Sequence, residues 1–537
     1  MNSIHLLDYV VILGYLLGVA AIGVWVARRK KRTTEDYFLA NRKMPSWVVG
    51  FTIVGTVISS VSFVAHPGAA FNRNWWLVVP NLTVPLVLGF VVLVVVPFYR
   101  RVVRMSSYEY LEQRFGYLGR FYGATGFLLL RTIDLGFTIL LTAIAAEVIT
   151  GWDIRWVVIG IGAFTIFYTI IGGIEAVIWT DVFQGFVLAT GAVSILVIIL
   201  FWPEGGPAAV VSTAYQAGKF NLGDFQFNRQ SLYGEQATFW ILLVSGILHF
   251  GRAYITEPNM VQRYLVARTD RDAQRGVLAG AFACVPIWLT FAFIGSCLWA
   301  FYQLTAANVP PAVLEKPDNI LPYFIATQFP AGLVGLVLAA IFSAANSSVS
   351  SDLNSIATVV TQDFFIRARP RSSERARILF GRCAVLAGGI LAVSIAFLLN
   401  LARAKALIEL VVTLGMIFSG GMLGLFALGF LSRRATRRGA YAGTAICLAF
   451  ILWATLTGPL KIDLGFNFTM HPIMIGIFSH PLLFISGYLV SLLLGGYRPQ
   501  LAGLTIWDRP SKHASQEAAP SVIEVQRTSP VGESGAS

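Results

Sequence analysis

A chain of 537 residues that is 56% hydrophobic and only 12% charged, with a mean hydropathy of +0.70, does not read as a soluble domain, in which about a quarter of residues carry charge. Its formal net charge of +13 would suit nucleic acid, but the basic residues sit in clusters between long apolar runs, so no nucleic-acid partner is expected. The four cysteines show no CxxC spacing and imply neither a disulfide framework nor a thiolate metal site.

Repeated apolar runs of roughly 20 residues predict an all-α polytopic membrane protein embedded in a lipid bilayer. Thirteen spans are expected, at about 4–27, 46–70, 75–98, 118–150, 154–172, 181–203, 236–256, 276–305, 330–361, 378–400, 404–431, 439–458 and 472–496. With the N-terminus outside and the spans alternating, thirty Lys and Arg fall in inner segments and eight in outer ones, while Arg131 and Arg252 lie within spans. That bias is the positive-inside rule, and it predicts a cytoplasmic C-terminus and a plasma (inner) membrane location. The first span is not a cleaved signal peptide: it lacks a basic n-region, is too long, and is followed by RRKKR at 28–32. The outer segment 204–235 is long enough to fold over the outer face. The polar tail, 503–537, is expected to be disordered and cytoplasmic. No GxxxxGK[ST] loop supports ATP-driven transport.

The second span, VGTVISSVSFVAHPGAAF (54–71), is interrupted by Gly55, Ser59, Ser60, Ser62, Pro67 and Gly68. Unwound backbone at membrane depth frees carbonyls for a cation and N–H groups for a solute; the plainer alternative is a kinked packing helix with small contacts. In the fourth span, Arg131 and Asp134 stand three residues apart, either neutralising each other or placing Asp134 against a solute. Asp181, in GGIEAVIWTDVFQG (172–185), is expected at the start of a span. It reads as an N-cap, as a carboxylate on an ion path, or as both. The seventh span, VSGILHFGRAYITEP (244–258), is broken by Gly246, Gly251 and Pro258. It stands five spans after the first broken one, the placement expected of two inverted five-helix repeats. His66 and His249 read as packing residues, since no second ligand stands at metal spacing.

The ninth span carries IFSAANSSVSSDLNSIATVVT (341–361), in which Ser347, Ser350, Ser351, Asn354 and Thr358 share one side of a helix. Hydroxyls stacked at membrane depth face a helix, a cavity or an ion. Neutral oxygen ligands suit a hard alkali cation that must bind and then leave.

The chain resembles the sodium:solute symporter family from about residue 8 to 435. DYFLANRKMPSW (36–47), the serine segment of span 2, SSYEYLEQRFG (106–116), the WTD segment, MVQRYLVARTDRDAQRG (260–276) and AAIFSAANSSVSSDLNSIATVVTQDFF (339–365) carry the resemblance. It implies a LeuT-type core of inverted five-helix repeats, 46–203 and 236–431. A peripheral first helix (1–30) and two peripheral helices (439–496) would flank that core. It also implies import of a small organic solute, a carboxylate or a sugar or polyol, coupled to two sodium ions by alternating access. The main sodium site would use Gly55, Ile58, Ala344, Ser347 and Ser348. A second, found in the bacterial sialic acid members, would use Asp181, Ser347, Ser350 and Ser351.

The motifs come nearest to the sialic acid and monocarboxylate branch, for which Ser59, Ser62, Phe63, Asn81, Asp134, Phe250 and Tyr254 are the solute contacts. Galactose is not expected, because Ser62, Phe250 and Cys284 replace its polar ligands. The sialic acid members place an arginine where this chain has Asp134. Either Arg131 substitutes for it, or Asp134 selects a hydroxyl or ammonium group. No catalytic residue and no obligate protein partner are expected. The alternatives are proton coupling and a polytopic membrane enzyme; the latter lacks clustered acids, since no DD pair occurs.

Overall fold

The computed structural model describes residues 4–28, 33–227, 232–233, 237–402, 420–495 and 503–508. Among these residues the chain is all-helical, with one isolated bridge between Met44 and Ala267.

Ten helices are long and apolar enough to cross a membrane. An eleventh crossing is the pair α2 (Ser46–Val57) and α3 (Ser60–Asn72), bent by 59°. Around them run α1 (Leu6–Ala27), α4 (Trp75–Val102), α5 (Tyr117–Thr150) and α6 (Ile154–Phe201). The 48 residues of α6 would extend about 72 Å, more than two hydrocarbon cores. The helix breaks at Gly173 (φ 60°, ψ −155°), so it accounts for two of the expected spans. Only glycine serves there: a Cβ would stand 2.6 Å from the Tyr37 carbonyl oxygen. Asp181 therefore lies well inside the second half of α6, fully buried, and is not an N-cap. The helix begins again at Gly173, two turns before it.

Beyond a short helix, α7 (Gly206–Gln216), come α8 (Phe239–Thr256), α9 (Pro258–Leu265), α10 (Asp270–Thr305) and α11 (Leu333–Val359). Then follow α12 (Glu374–Ala402), α13 (Met422–Leu431), α14 (Arg437–Thr457) and α15 (Ile473–Leu494). The expected span 404–431 falls mostly outside the described residues; α13 is its described end. The break in the seventh span is at Glu257, immediately before Pro258, where the missing N–H of proline suits a new helix start. Gly246 serves packing instead: it lets the Pro80 carbonyl approach to 2.5 Å of where a Cβ would be. Pro67 likewise lies within α3, and the real interruption of span 2 is at Ile58 and Ser59, both extended.

The serine helix α11 is the axis of the bundle: 83% of its apolar window is buried, as a helix rich in Ala and Ser allows. The first helix, expected at the periphery, holds it in two places. Asp8 accepts hydrogen bonds from the N–H groups of Gly332 and Gly335, both at 2.7 Å. It thereby caps the positive end of α11 from a different helix. Deeper in, the Tyr15 hydroxyl accepts from Asn346 and Gln184, both at 3.1 Å.

Described residues of the 204–227 segment meet the ends of neighbouring helices. Lys219 donates to the Phe71 carbonyl at 2.7 Å, and the Asn221 carbonyl accepts the Trp75 N–H at 2.9 Å. Residues 503–508, expected to begin a disordered tail, dock on the end of α13. There the Ile506 N–H donates to Phe430 and the Trp507 indole to Leu431. The tail from 509 lies outside the described residues.

Candidate ion and solute sites

Where α2 stops and α3 starts, the extended residues Ile58 and Ser59 cannot continue the i→i−4 ladder. The carbonyls left over are met by hydroxyls from α11. Ser347 donates to Gly55 at 2.8 Å and lies 3.4 Å from its own helix carbonyl, Ala344. Ser348 reaches Gly55 at 3.4 Å and Ile58 at 3.2 Å. All the residues expected for the first ion are thus brought together. Two hydroxyl protons cannot serve three carbonyl oxygens at once. With each hydroxyl turned to present its oxygen, the two hydroxyls and three carbonyls would offer a cation five oxygen ligands, at about 2.3–2.6 Å. Gly55 also lets α2 lie on α6: a Cβ there would touch the Asp181 side chain at 3.0 Å.

The second set is arranged differently. Asp181 accepts from Thr52 at 2.5 Å. Between it and the serines stands Arg263 of α9, 3.8 Å from the Asp181 carboxylate and donating to Ser351 at 2.6 Å. Thr56 links to the same Ser351 at 3.2 Å, and Ser350 turns to the Ser347 carbonyl at 3.1 Å. Both charged side chains are fully buried. One Asp181 oxygen and one Arg263 nitrogen have no hydrogen-bond partner. A guanidinium therefore neutralises the carboxylate where a second cation was expected. Sequence reasoning had counted Arg263 among the loop charges. The readable signal was the break at Pro258, which starts a helix whose every residue, Pro258 to Leu265, is buried.

The lower half of the serine stripe has a use that sequence reasoning did not supply. Gln262 of α9 donates to Thr358 at 2.6 Å and accepts from Ser355 at 2.9 Å and Asn354 at 3.4 Å. Asn259 donates to Asp352 at 2.8 Å. These bonds lace α9 to α11 along its second half.

Beside the α2–α3 break lies a cavity of about 520 Å³. Its polar wall includes Thr56, Ser59, Arg131, Asp134, Thr138, Ser245, His249, Arg252, Ser348 and Asp352. Of the expected solute contacts, Ser59 and Asp134 line it. The others lie outside its lining. Ser62 accepts from the Trp288 indole at 3.2 Å, and Phe63 packs on Phe291. Asn81 bonds His66 at 3.0 Å; Phe250 packs on Trp288 and Tyr254. Ser348 belongs both to the oxygen cluster and to the cavity wall.

The charges of the cavity form a network larger than the Arg131–Asp134 pair. Arg131 lies 3.4 Å from both Asp134 and Asp352 and pairs closely with Glu257. Arg252 pairs with Glu257 as well. Sequence reasoning missed Glu257 and Asp352. The first stands at the helix break, and the second is the single acid of the serine stripe.

The bent crossing α2–α3, the helix break at Glu257 five spans later and the central polar helix, with the match to a solved symporter, define a multi-pass membrane transporter of the LeuT-type fold. The chain belongs to the sodium:solute symporter family, whose model matches residues 37–447. It is similar to the sodium/sialic acid symporter NanT of Aliivibrio fischeri, with 32% identity over 91% of this chain and 94% of the relative. It is similar also to the sodium/sialic acid symporter SiaT of Proteus mirabilis, with 30% identity over 90% and 96%. Among solved structures, the substrate-bound, outward-open state of a Na+-coupled sialic acid symporter superposes with a TM-score of 0.82. It is 29% identical, covering 92% of this chain and 99% of that one. This chain is a sodium-coupled symporter, and sodium is its coupling ion.

Proposed function

We propose that sodium enters the oxygen cluster of Gly55, Ile58, Ala344, Ser347 and Ser348 and drives import of a small organic solute seated in the cavity beside it. One observation carries the reading: Ser348 bonds the Ile58 carbonyl and also lines the cavity. An ion there would tie α11 to the α2–α3 break and hold Ser348 in the cavity wall. Inward charge movement supplies the drive, about 2.3 kcal/mol per charge at 100 mV.

A second sodium would bind Asp181 with Ser347, Ser350 and Ser351, and Arg263 must then move aside. Two sodium ions with a neutral solute would gain about 4.6 kcal/mol from voltage alone, roughly three decades of accumulation. The solved relative is itself described with a novel Na+ site, which favours this reading. Sialic acid, carried by the two bacterial relatives, is the natural comparator solute.

A plasma (inner) membrane location is the one the family implies, and an N-terminus outside with the C-terminus inside is supported by the sequence's thirty against eight split of basic residues. Repeats at 46–203 and 236–431 are supported by the matched breaks at Ile58 and Glu257. Solute uptake into proteoliposomes, compared in sodium and in potassium gradients with wild type and Ser348→Ala, tests the ion assignment. Unchanged sodium activation in the variant rejects it.

A further inference from the structure

We infer that the solute of this transporter carries a cationic nitrogen, and that Asp134 receives it. The inference rests on the proposed solute cavity and adds to it the chemical class of the cargo.

The charged groups at the cavity are not equivalent. Glu257, with 2% of its side chain exposed, is engaged by both Arg131 and Arg252. Asp352, 9% exposed, faces Arg131 and accepts from Asn259. The two arginines are themselves 18% and 11% exposed. Asp134 differs from all of these: 43% of its side chain is open to the cavity, and its one ionic contact is the long 3.4 Å approach of Arg131.

Among the described residues, three acids thus meet two arginines, and the acid in excess is the one that faces the solute. A solute whose only charge is a carboxylate would set that anion against Asp134 and leave the excess acid uncompensated, which is costly. Arg252, which lines the cavity and spends one nitrogen on Glu257, can still receive the carboxylate of a zwitterion. The remaining Nε–H of Arg131 is buried without a partner, so it offers the cavity no donor. An ammonium group has neither difficulty. It neutralises the excess charge, a protonated amine donating a charge-assisted hydrogen bond to Asp134 and a quaternary ammonium pairing with it by charge alone, and has Ser59, Thr138 and Ser245 nearby for its remaining polar groups. Phe137 adds an aromatic wall that a methylated or primary ammonium can approach.

The experiment uses the purified full-length protein in sodium and in potassium. Choline, glycine betaine and L-proline are compared with lactate, N-acetylneuraminate and galactose, by thermal stabilisation and by uptake into proteoliposomes. At least one ammonium compound should stabilise the protein in sodium only and be taken up. The carboxylates lacking an ammonium group, and the sugar, should do neither. Asp134→Asn should weaken the ammonium compound by about tenfold or more, while stabilisation by sodium alone is retained and reports that the variant is folded. Sodium-dependent binding of the anions or galactose with none of the ammonium compounds overturns the inference. So does an Asp134→Asn protein that binds its ammonium solute as wild type does. Loss of the sodium effect in the wild-type protein would instead remove the proposed ion site.

Discussion

The Ser348 hydroxyl of α11 stands 3.2 Å from the Ile58 carbonyl, across the gap between α2 and α3. This one contact joins the buried polar helix to the one place where the second span has no backbone ladder. A carbonyl freed from a helix needs a partner, and the serine supplies one that an ion can replace without leaving a buried acceptor unmet.

Arg263 substitutes for a cation beside Asp181, the pair being fully buried at 3.8 Å. Arg263→Gln should leave that carboxylate uncompensated and destabilise the protein in potassium by about 3–5 kcal/mol. Sodium should restore part of the loss, so the sodium-induced rise in melting temperature should exceed that of wild type. A rise equal to or smaller than the wild-type one contradicts the competition. Asp181→Asn should correspondingly lower the sodium-to-solute ratio from two to one, read from reversal potentials.

The first helix sets the position of α11 through Asp8 and Tyr15. Asp8→Ala removes the acceptor for two amide N–H groups, at Gly332 and Gly335, and should cost about 1–3 kcal/mol in thermal unfolding. Tyr15→Phe removes the acceptor shared by Asn346 and Gln184. Because Asn346 precedes Ser347, this variant should raise the sodium concentration for half-maximal stabilisation more than it lowers melting temperature. A stability loss with unchanged sodium titration would leave Tyr15 a packing residue only.

Gln262 laces α9 to α11 through Thr358, Ser355 and Asn354. Gln262→Leu leaves those groups without their cross-helix partner. Amide hydrogen exchange in 258–265 should become faster in sodium, where wild type should be protected. Equal protection in both proteins would show that the lacing does not hold the helices together.

Gly173→Ala forces a side chain into a backbone region that is essentially glycine's, with the Tyr37 carbonyl 2.6 Å from its Cβ. The strain alone is about 1–3 kcal/mol. A drop in melting temperature should follow, while Gly160→Ala, where a Cβ meets nothing within 4 Å, should leave it nearly unchanged.

Features that repeat along one helix were legible in the sequence. The serine stripe showed its face through spacing alone, and the breaks in spans 2 and 7 showed as Gly, Ser and Pro within apolar runs. The five members of the oxygen cluster came from the family resemblance, which placed them on two of those segments. What sequence could not supply was pairing between distant spans. Arg263 looked like a loop charge because its partner Asp181 is on a distant helix. Glu257 and Asp352 looked isolated because Arg131, which meets both, appeared satisfied by its neighbour Asp134. Ser62, Asn81 and Phe250 lie outside the cavity lining, and Trp288 and His66, which meet their polar atoms or ring faces, come from elsewhere in the chain. Asp8 gave no signal, since a cap on a helix more than three hundred residues away has no local spacing.

The most direct test is the sodium dependence of solute uptake into proteoliposomes by Ser348→Ala. If the hydroxyl is a ligand of the driving ion, half-activation should require at least about tenfold more sodium than in wild type, with the protein still folded and inserted. A sodium-activation curve that superposes on the wild-type one would contradict the assignment of the ion to this cluster.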